Sequence, residues 1–146
     1  MSTSEAITRT DLKAILDEVL PIERRTLLWT NPSPTASFTA QDVSLGGAYY
    51  NYDYLEVEYL LDNSANTDTG MKVLEKTPCH AQTNALAVKW VSDSNGDRWE
   101  LYHRSRWWVT GGIHFDNCYY NILNSTAATG AWNGNLIPYK IYGIKE

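Results

Sequence analysis

The chain has 146 residues, with 12 Lys and Arg against 17 Asp and Glu and a formal net charge of −5. That balance speaks against a general nucleic-acid binder, because phosphate contacts need a basic face. No run of about 18 apolar residues occurs, which excludes a helical membrane span, and the opening Met1-Ser-Thr-Ser-Glu-Ala-Ile7 has neither the basic region nor the apolar core of a signal peptide.

The length suits one domain with a full core and a short appendage. Ten Tyr and six Trp stand against two Phe. Such rings serve either half-buried positions on a sheet or a contact surface such as a sugar platform. Cys79 and Cys118 permit one disulfide, but without an export signal two free, buried thiols are expected.

The first segment reads as a helix. Thr8 caps it, Asp11 completes a capping box, and Ile7 and Leu12 are spaced for a hydrophobic staple. Leu12, Ile15, Leu16, Val19 and Leu20 form one apolar stripe, and Pro21 ends it. A helix of about 13 residues is marginal alone in water. The stripe therefore either docks on the domain, pairs with copies of itself, or inserts into a larger assembly. Residues 1–22 are read as an anchor and oligomerisation helix, with Leu12, Ile15, Leu16 and Val19 as its candidate contacts. Residues 23–146 form a separate β-domain.

After Pro21 the chain turns to short strands between turn signals. Residues 26–30 come first, closed by Asn31-Pro-Ser-Pro34. Residues 36–45 follow, with a parity slip between Phe38 and Val43 that indicates a bulge or bend. Residues 52–61 alternate cleanly, Leu55, Val57, Tyr59 and Leu61 facing in and Tyr54, Glu56 and Glu58 facing out. After a polar loop over 62–70 come strands at 71–77 and 85–91, the latter with Leu86, Val88 and Trp90 on one side. Asn95-Gly96 makes a hairpin turn. Residues 98–110 read as a long strand with Trp99, Leu101, His103, Trp107 and Val109 inward and Arg98, Glu100, Tyr102, Arg104, Arg106 and Trp108 outward. Gly111-Gly112 turns into 113–123, and Asn135 to Lys145 is the closing strand. In that strand Pro138 marks a start, an edge or a bulge. About eight strands with no helix between them indicate a mainly β fold. The expected architecture is an antiparallel β-sandwich of jelly-roll type behind a short N-terminal α-helix, with a closed barrel as the competing arrangement.

Catalytic signals are poor, and no catalytic residue, metal or cofactor is expected. There is no Gly-x-Ser-x-Gly elbow, phosphate loop or His-Glu-x-x-His helix. His80, His103 and His114 show no metal-ligand spacing, and a hydrogen-bonded core histidine is the commoner explanation for His103. Asp93, Asn95 and Asp97 fit a turn better than a calcium loop. Glu56 and Glu58 share one outward face, which suits a solvated strand as well as a glycosidase carboxylate pair. The adjacent Trp107 and Trp108 cannot both enter the core. Arg and Trp together have the composition of contact hot spots and sugar platforms, so Trp108, Arg104, Arg106 and Tyr102 are candidate ligand contacts. Trp132, in a Gly-flanked loop, is another.

Two stretches carry a resemblance: Leu28-Trp-Thr-Asn-Pro-Ser-Pro-Thr-Ala-Ser-Phe-Thr-Ala-Gln-Asp-Val-Ser-Leu45 and Asn135-Leu-Ile-Pro-Tyr-Lys-Ile-Tyr-Gly-Ile-Lys145. With the Tyr-rich strand between them, they resemble tailed-phage and prophage structural proteins, namely the β-sandwich heads of tail-tip, tail-fibre or head-fibre proteins. The resemblance implies a non-enzymatic virion component, made in the bacterial host cytoplasm and commonly a homotrimer. It would join other virion proteins through its N-terminal helix and bind a host cell-surface glycan or protein. A stand-alone carbohydrate-binding module is the alternative, and a small glycoside hydrolase using Glu56 or Glu58 is the third reading. Neither nucleic acid nor membrane insertion enters any of them.

Overall fold

The computed structural model describes residues 8–19, 24–47, 49–63, 67, 70–123 and 130–146, with the side chains of 16–19 outside that description. Helix α1 (Arg9–Val19) begins with the expected capping box. The Asp11 amide donates to Thr8 Oγ1 at 3.0 Å, and the Thr8 amide donates to Asp11 Oδ2 at 3.3 Å. The Thr8 bonds hold the Asp11 carboxyl below its ordinary value. Every described side chain of the helix is exposed, Leu12 and Ile15 each by about half. The proposed staple residue Ile7, and Leu20 and Pro21, lie outside the described residues.

The body is an antiparallel β-sandwich. One sheet runs β1 (Arg24–Thr30), β9 (Asn135–Lys145), β3 (Tyr54–Asp62), β4 (Lys72–Pro78). The other runs β2 (Gln41–Ser44), β7 (Gly112–Ile122), β6 (Gly96–Val109), β5 (Thr83–Asp93), with the two-residue β8 (Gly130–Ala131) paired to β7. These are called sheets A and B. The pairings β1–β9, β9–β3 and β2–β7 join strands far apart in sequence, as in a jelly roll. The β3–β4 hairpin and the β5–β6–β7 meander each stay within one sheet. The segment 36–45, whose parity slip indicates a bulge or bend, is a regular strand only from Gln41 to Ser44, with Phe38 buried ahead of it.

Strand β9 is interior, with a neighbour on each side. Its proline is tolerated for two local reasons. The register against β3 shifts between Glu58 and Tyr59, where Tyr139 bulges, and β1 ends at Thr30 opposite Lys140, short of Pro138. Asn31 replaces the missing ladder: its Nδ2 donates to the Pro138 carbonyl at 2.8 Å, and its backbone amide to the Tyr139 carbonyl at 2.8 Å. Farther along, Gly143 is required because the Tyr52 ring lies over it; a Cβ there would stand 2.5 Å from the ring.

The core combines the expected alternating residues of β3 with aromatics in edge contact. Leu55, Val57 and Tyr59 are fully buried, and Leu60 takes the place expected for Leu61. Phe115 meets Phe38 at 5.6 Å and Tyr59 at 6.1 Å between ring centroids. Both cysteines are free and buried, and burial pushes the Cys118 thiol up to about 11.

Sheet B has its faces the other way round from the sequence expectation. Tyr102, Arg104 and Arg106 point into the sandwich, with both arginines fully buried. Trp99, His103 and Trp107 are on the outside, with Leu86, Val88 and Trp90 of β5 beside them. The pairs Leu86–His103, Val88–Leu101 and Trp90–Trp99 show the two rows moving together, because opposed residues of an antiparallel pair share a face. Inside, small residues make room for large ones: Ala85 opposes Arg104, and Ala87 opposes Tyr102.

Candidate functional site

The two arginines read as an outward contact row are interior groups held by the protein itself. Arg106 makes a bidentate pair with Glu75 of β4, Nε to Oε1 and Nη2 to Oε2 at 2.6 Å each. Burial alone would lower its pKa, but the bonds to Glu75 hold it above the ordinary arginine value. The Tyr59 hydroxyl and the Thr77 hydroxyl also donate to Glu75, at 3.3 and 2.8 Å. Arg104 has a different arrangement. It donates to the backbone carbonyls of Leu136 (2.8 Å), Asp116 (2.5 Å) and Asn135 (3.3 Å), and its guanidinium lies 5.4 Å from the Phe38 ring centroid. Burial draws its pKa below the ordinary value. Leu136 adopts a left-handed backbone, φ 44°, at the start of β9, where its carbonyl meets this guanidinium. Neither arginine is presented to a surface ligand.

Tyr102 and Trp132, in contrast, come together at one open end of the sandwich. They line a cleft of about 390 Å³ between β3 and the end of β9 on one side and β5, β6 and β7 on the other. Its floor is polar and internally bonded. The Tyr102 hydroxyl donates to Glu100 Oε2. Burial, then that bond, raises the Tyr102 pKa. Arg98 donates to Glu100 through Nε at 2.8 Å and to Asp93 through Nη1 and Nη2 at 2.8 and 3.1 Å. The bond to Asp93 is the larger cause of its raised pKa. Lys89 Nζ reaches Asp62 Oδ2 at 3.5 Å, bridging the two sheets.

Trp132 stands at the rim, 57% exposed. Its amide donates to the Cys118 carbonyl at 2.7 Å. The Asn135 amide, oriented to satisfy both its ends, accepts from Trp132 Nε1 at 2.8 Å and donates to the Leu61 carbonyl at 2.9 Å. The next residue secures the turn: Asn133 Oδ1 accepts from the Cys118 amide at 2.9 Å, and its carbonyl accepts from Phe38 at 2.9 Å. The indole is therefore held through Nε1, on a turn fixed by the bonds of residues 132 and 133, while more than half of its surface stays open.

Trp108 belongs to another place. It lies at 5.8 Å from His80, which is 5.3 Å from Tyr50. With Gln82 and Trp107, His80 and Trp108 border a shallow depression that shares no lining residue with the Trp132 cleft. Trp107 stacks on His114 at 4.5 Å on the outer face. His114 in turn contacts Asp42 through Nδ1 at 2.6 Å. His103, expected inside, stacks on Tyr119 on the outer face at 5.7 Å. Among the described residues no group of three His, Cys, Asp or Glu converges as a metal site would require. Glu56 and Glu58 both accept from Arg25, at 2.5 and 3.0 Å, on the outer face of sheet A. Of the helix candidates, Leu12 and Ile15 are exposed, while the side chains of Leu16 and Val19 lie outside the described residues.

Sequence reasoning missed Glu100, Arg98, Lys89 and Asp62 as parts of one cleft. No spacing signals them, since they converge only when the two sheets close. The chain matches no protein-family model, no curated protein and no solved structure.

Proposed function

We propose that this protein is a non-enzymatic structural subunit of a tailed-phage virion, of the tail-tip, tail-fibre or head-fibre kind, that assembles with copies of itself and contributes to adsorption. The observation that carries the assembly half is the contrast between the two outer faces. That of sheet A has a charged, paired centre, with Arg25 between Glu56 and Glu58 and over the Tyr142 ring at 3.4 Å, and its exposed leucines, Leu27 and Leu74, are set apart on the outer strands β1 and β4. That of sheet B exposes Leu86, Val88, Trp90 and Trp99, each by about half. A sheet that buries two arginines and exposes its tryptophans has its polarity inverted for a lone subunit. Large contiguous apolar patches of this kind mark interaction sites. With Leu101, His103 and Tyr119 beside them, these side chains form one patch across β5, β6 and β7 of the kind a specific interface uses.

The occupant this face suits is a second copy, because its centre, Leu86, Val88, Trp90 and Trp99, is uncharged, and the acidic groups at its margin, Asp42 and Asp97, are already engaged by His114 and Ser92. Light scattering on the purified protein tests the reading. A homo-oligomer, of three chains in the resembling families, is expected; the mass of a single chain overturns assembly through this face. The virion half is tested by the genes beside this one: tail or capsid genes support it, and carbohydrate-degrading enzymes oppose it. The second reading, a stand-alone carbohydrate-binding module, is favoured by the Trp132 cleft and would show sugar binding in a monomer.

A further inference from the structure

We propose that the cleft between Trp132 and the Arg98–Glu100 network binds a neutral saccharide, with Trp132 as its stacking platform. The inference deepens the adsorption half of the proposed function and is independent of the assembly half.

Three observations converge on this ligand chemistry. The first is preorganisation. An indole that is 57% exposed, yet held by its own Nε1 and by the backbone bonds of residues 132 and 133, loses little freedom when a ring settles on it. It presents a flat apolar surface matching the C–H face of a pyranose. The second is charge. The cleft holds three carboxylates, Asp62, Asp93 and Glu100, against the cations Lys89 and Arg98. Arg98 is engaged with Asp93 and Glu100, and Lys89 with Asp62. Among the described lining residues each cation already faces a carboxylate, so a phosphate or a sialic-acid carboxylate would have to compete with those pairs and would meet a slight excess of like charge. The third is hydrogen-bonding capacity. Carboxylates already oriented by guanidinium or ammonium groups keep spare lone pairs, and Lys89 and Arg98 keep spare donors. Vicinal hydroxyls, each both donor and acceptor, can engage both. The volume of about 390 Å³ lies within the range of small-molecule sites.

The outer face of sheet B has no such paired carboxylate and cation network around its tryptophans, and among the described residues the Trp108 depression is bordered by His80, Gln82 and Trp107, with neither carboxylate nor lysine or arginine. The cleft is therefore the place for a sugar, and those two surfaces are not.

The experiment is a titration of protein labelled with ¹⁵N at its six indoles, using neutral gluco-, manno-, galacto- and N-acetylglucosamine oligosaccharides, with a sialylated oligosaccharide as the anionic control. Trp132→Phe identifies the Trp132 resonance. A neutral sugar is expected to move that resonance while leaving Trp108 in place. Trp132→Ala should raise Kd at least about tenfold, the loss of a contact worth roughly 1.4 kcal/mol. Lys89→Ala, at a partly exposed position, should weaken binding without touching the Trp132 turn, and Trp108→Ala should leave it unchanged. A shift at Trp108 alone, a preference for the sialylated control, or no response to any neutral sugar overturns the proposal. Light scattering on the same sample separates the two readings. An oligomer that binds no sugar overturns the cleft alone, and a monomer that binds through Trp132 overturns the assembly alone.

Discussion

Glu75 of β4 and Arg106 of β6 join the two sheets across the interior by paired bonds of 2.6 Å, with the Arg106 guanidinium fully buried. Removing one member leaves the other as an uncompensated buried charge, which typically costs about 3–5 kcal/mol. Glu75→Ala should therefore destabilise the fold by that order, read from the midpoint of urea unfolding. Replacing both, as Glu75→Leu with Arg106→Met, should recover most of the loss, because the desolvation of the pair is removed along with its attraction. If the double variant is as unstable as the single one, the pair is not acting as a unit.

Alkaline pH should weaken the fold. Burial raises the pKa of Cys118 to about 11 from an ordinary 9.0, and raises those of Tyr59, Tyr49 and Tyr102 above 10.0. These groups are neutral when protonated, and the folded chain holds their protons longer than the unfolded one. Above about pH 9 the unfolded state therefore binds fewer protons, and stability declines as pH rises toward 11. Thermal melts between pH 8 and pH 11 should show a falling Tm. Cys118→Ala should flatten the first part of the fall, and a flat profile in the parent protein would contradict these buried titrations.

Gly143→Ala would put a methyl 2.5 Å from the Tyr52 ring on an interior strand. The backbone of β9 is fixed by β1 and β3 on both sides, so the ring must move. Overpacking of this kind costs about 1–3 kcal/mol. Adding Tyr52→Ala should remove the clash, so the double variant should fall short of the sum of the two single losses when unfolding free energies are compared.

Much of this architecture is legible in the sequence, and the exceptions have a common cause. Leu55, Val57 and Tyr59 announce their inward positions by alternation, and Thr8 with Asp11 announces the helix start. Alternation along β6 divides Trp99, Leu101 and Trp107 from Tyr102, Arg104 and Arg106 but does not say which row faces in. Hydrophobicity argues for the tryptophans. The outcome instead follows groups 31 to 32 residues away in the chain, the Glu75 carboxylate and the carbonyls of Asn135 and Leu136, which satisfy the guanidiniums inside. The same distance hides the cleft. Trp132 is visible as an aromatic in a turn-rich loop, while the charged partners that give the cleft its chemistry become neighbours only through sheet pairing.

The exposed tryptophans give the last prediction, which separates two candidate assembly elements. Trp90 and Trp99 oppose each other on neighbouring strands with ring centroids 5.0 Å apart, flanked by Val88 and Leu86. Helix α1 offers Leu12 and Ile15 among its described side chains. Apolar area removed from water contributes roughly 25 cal/mol per Å²; the two half-exposed indoles present somewhat more of it than the two half-exposed aliphatic side chains, and Leu86 and Val88 extend the patch around them. Trp90→Ser with Trp99→Ser should therefore shift the oligomer toward single chains by light scattering. It should leave the monomer's own stability within about 1 kcal/mol, the scale of a cross-strand pair. Leu12→Ser with Ile15→Ser should shift the mass less. The opposite ranking would make the helix, capped by Thr8 and Asp11 but burying none of its described side chains, the element that joins the copies.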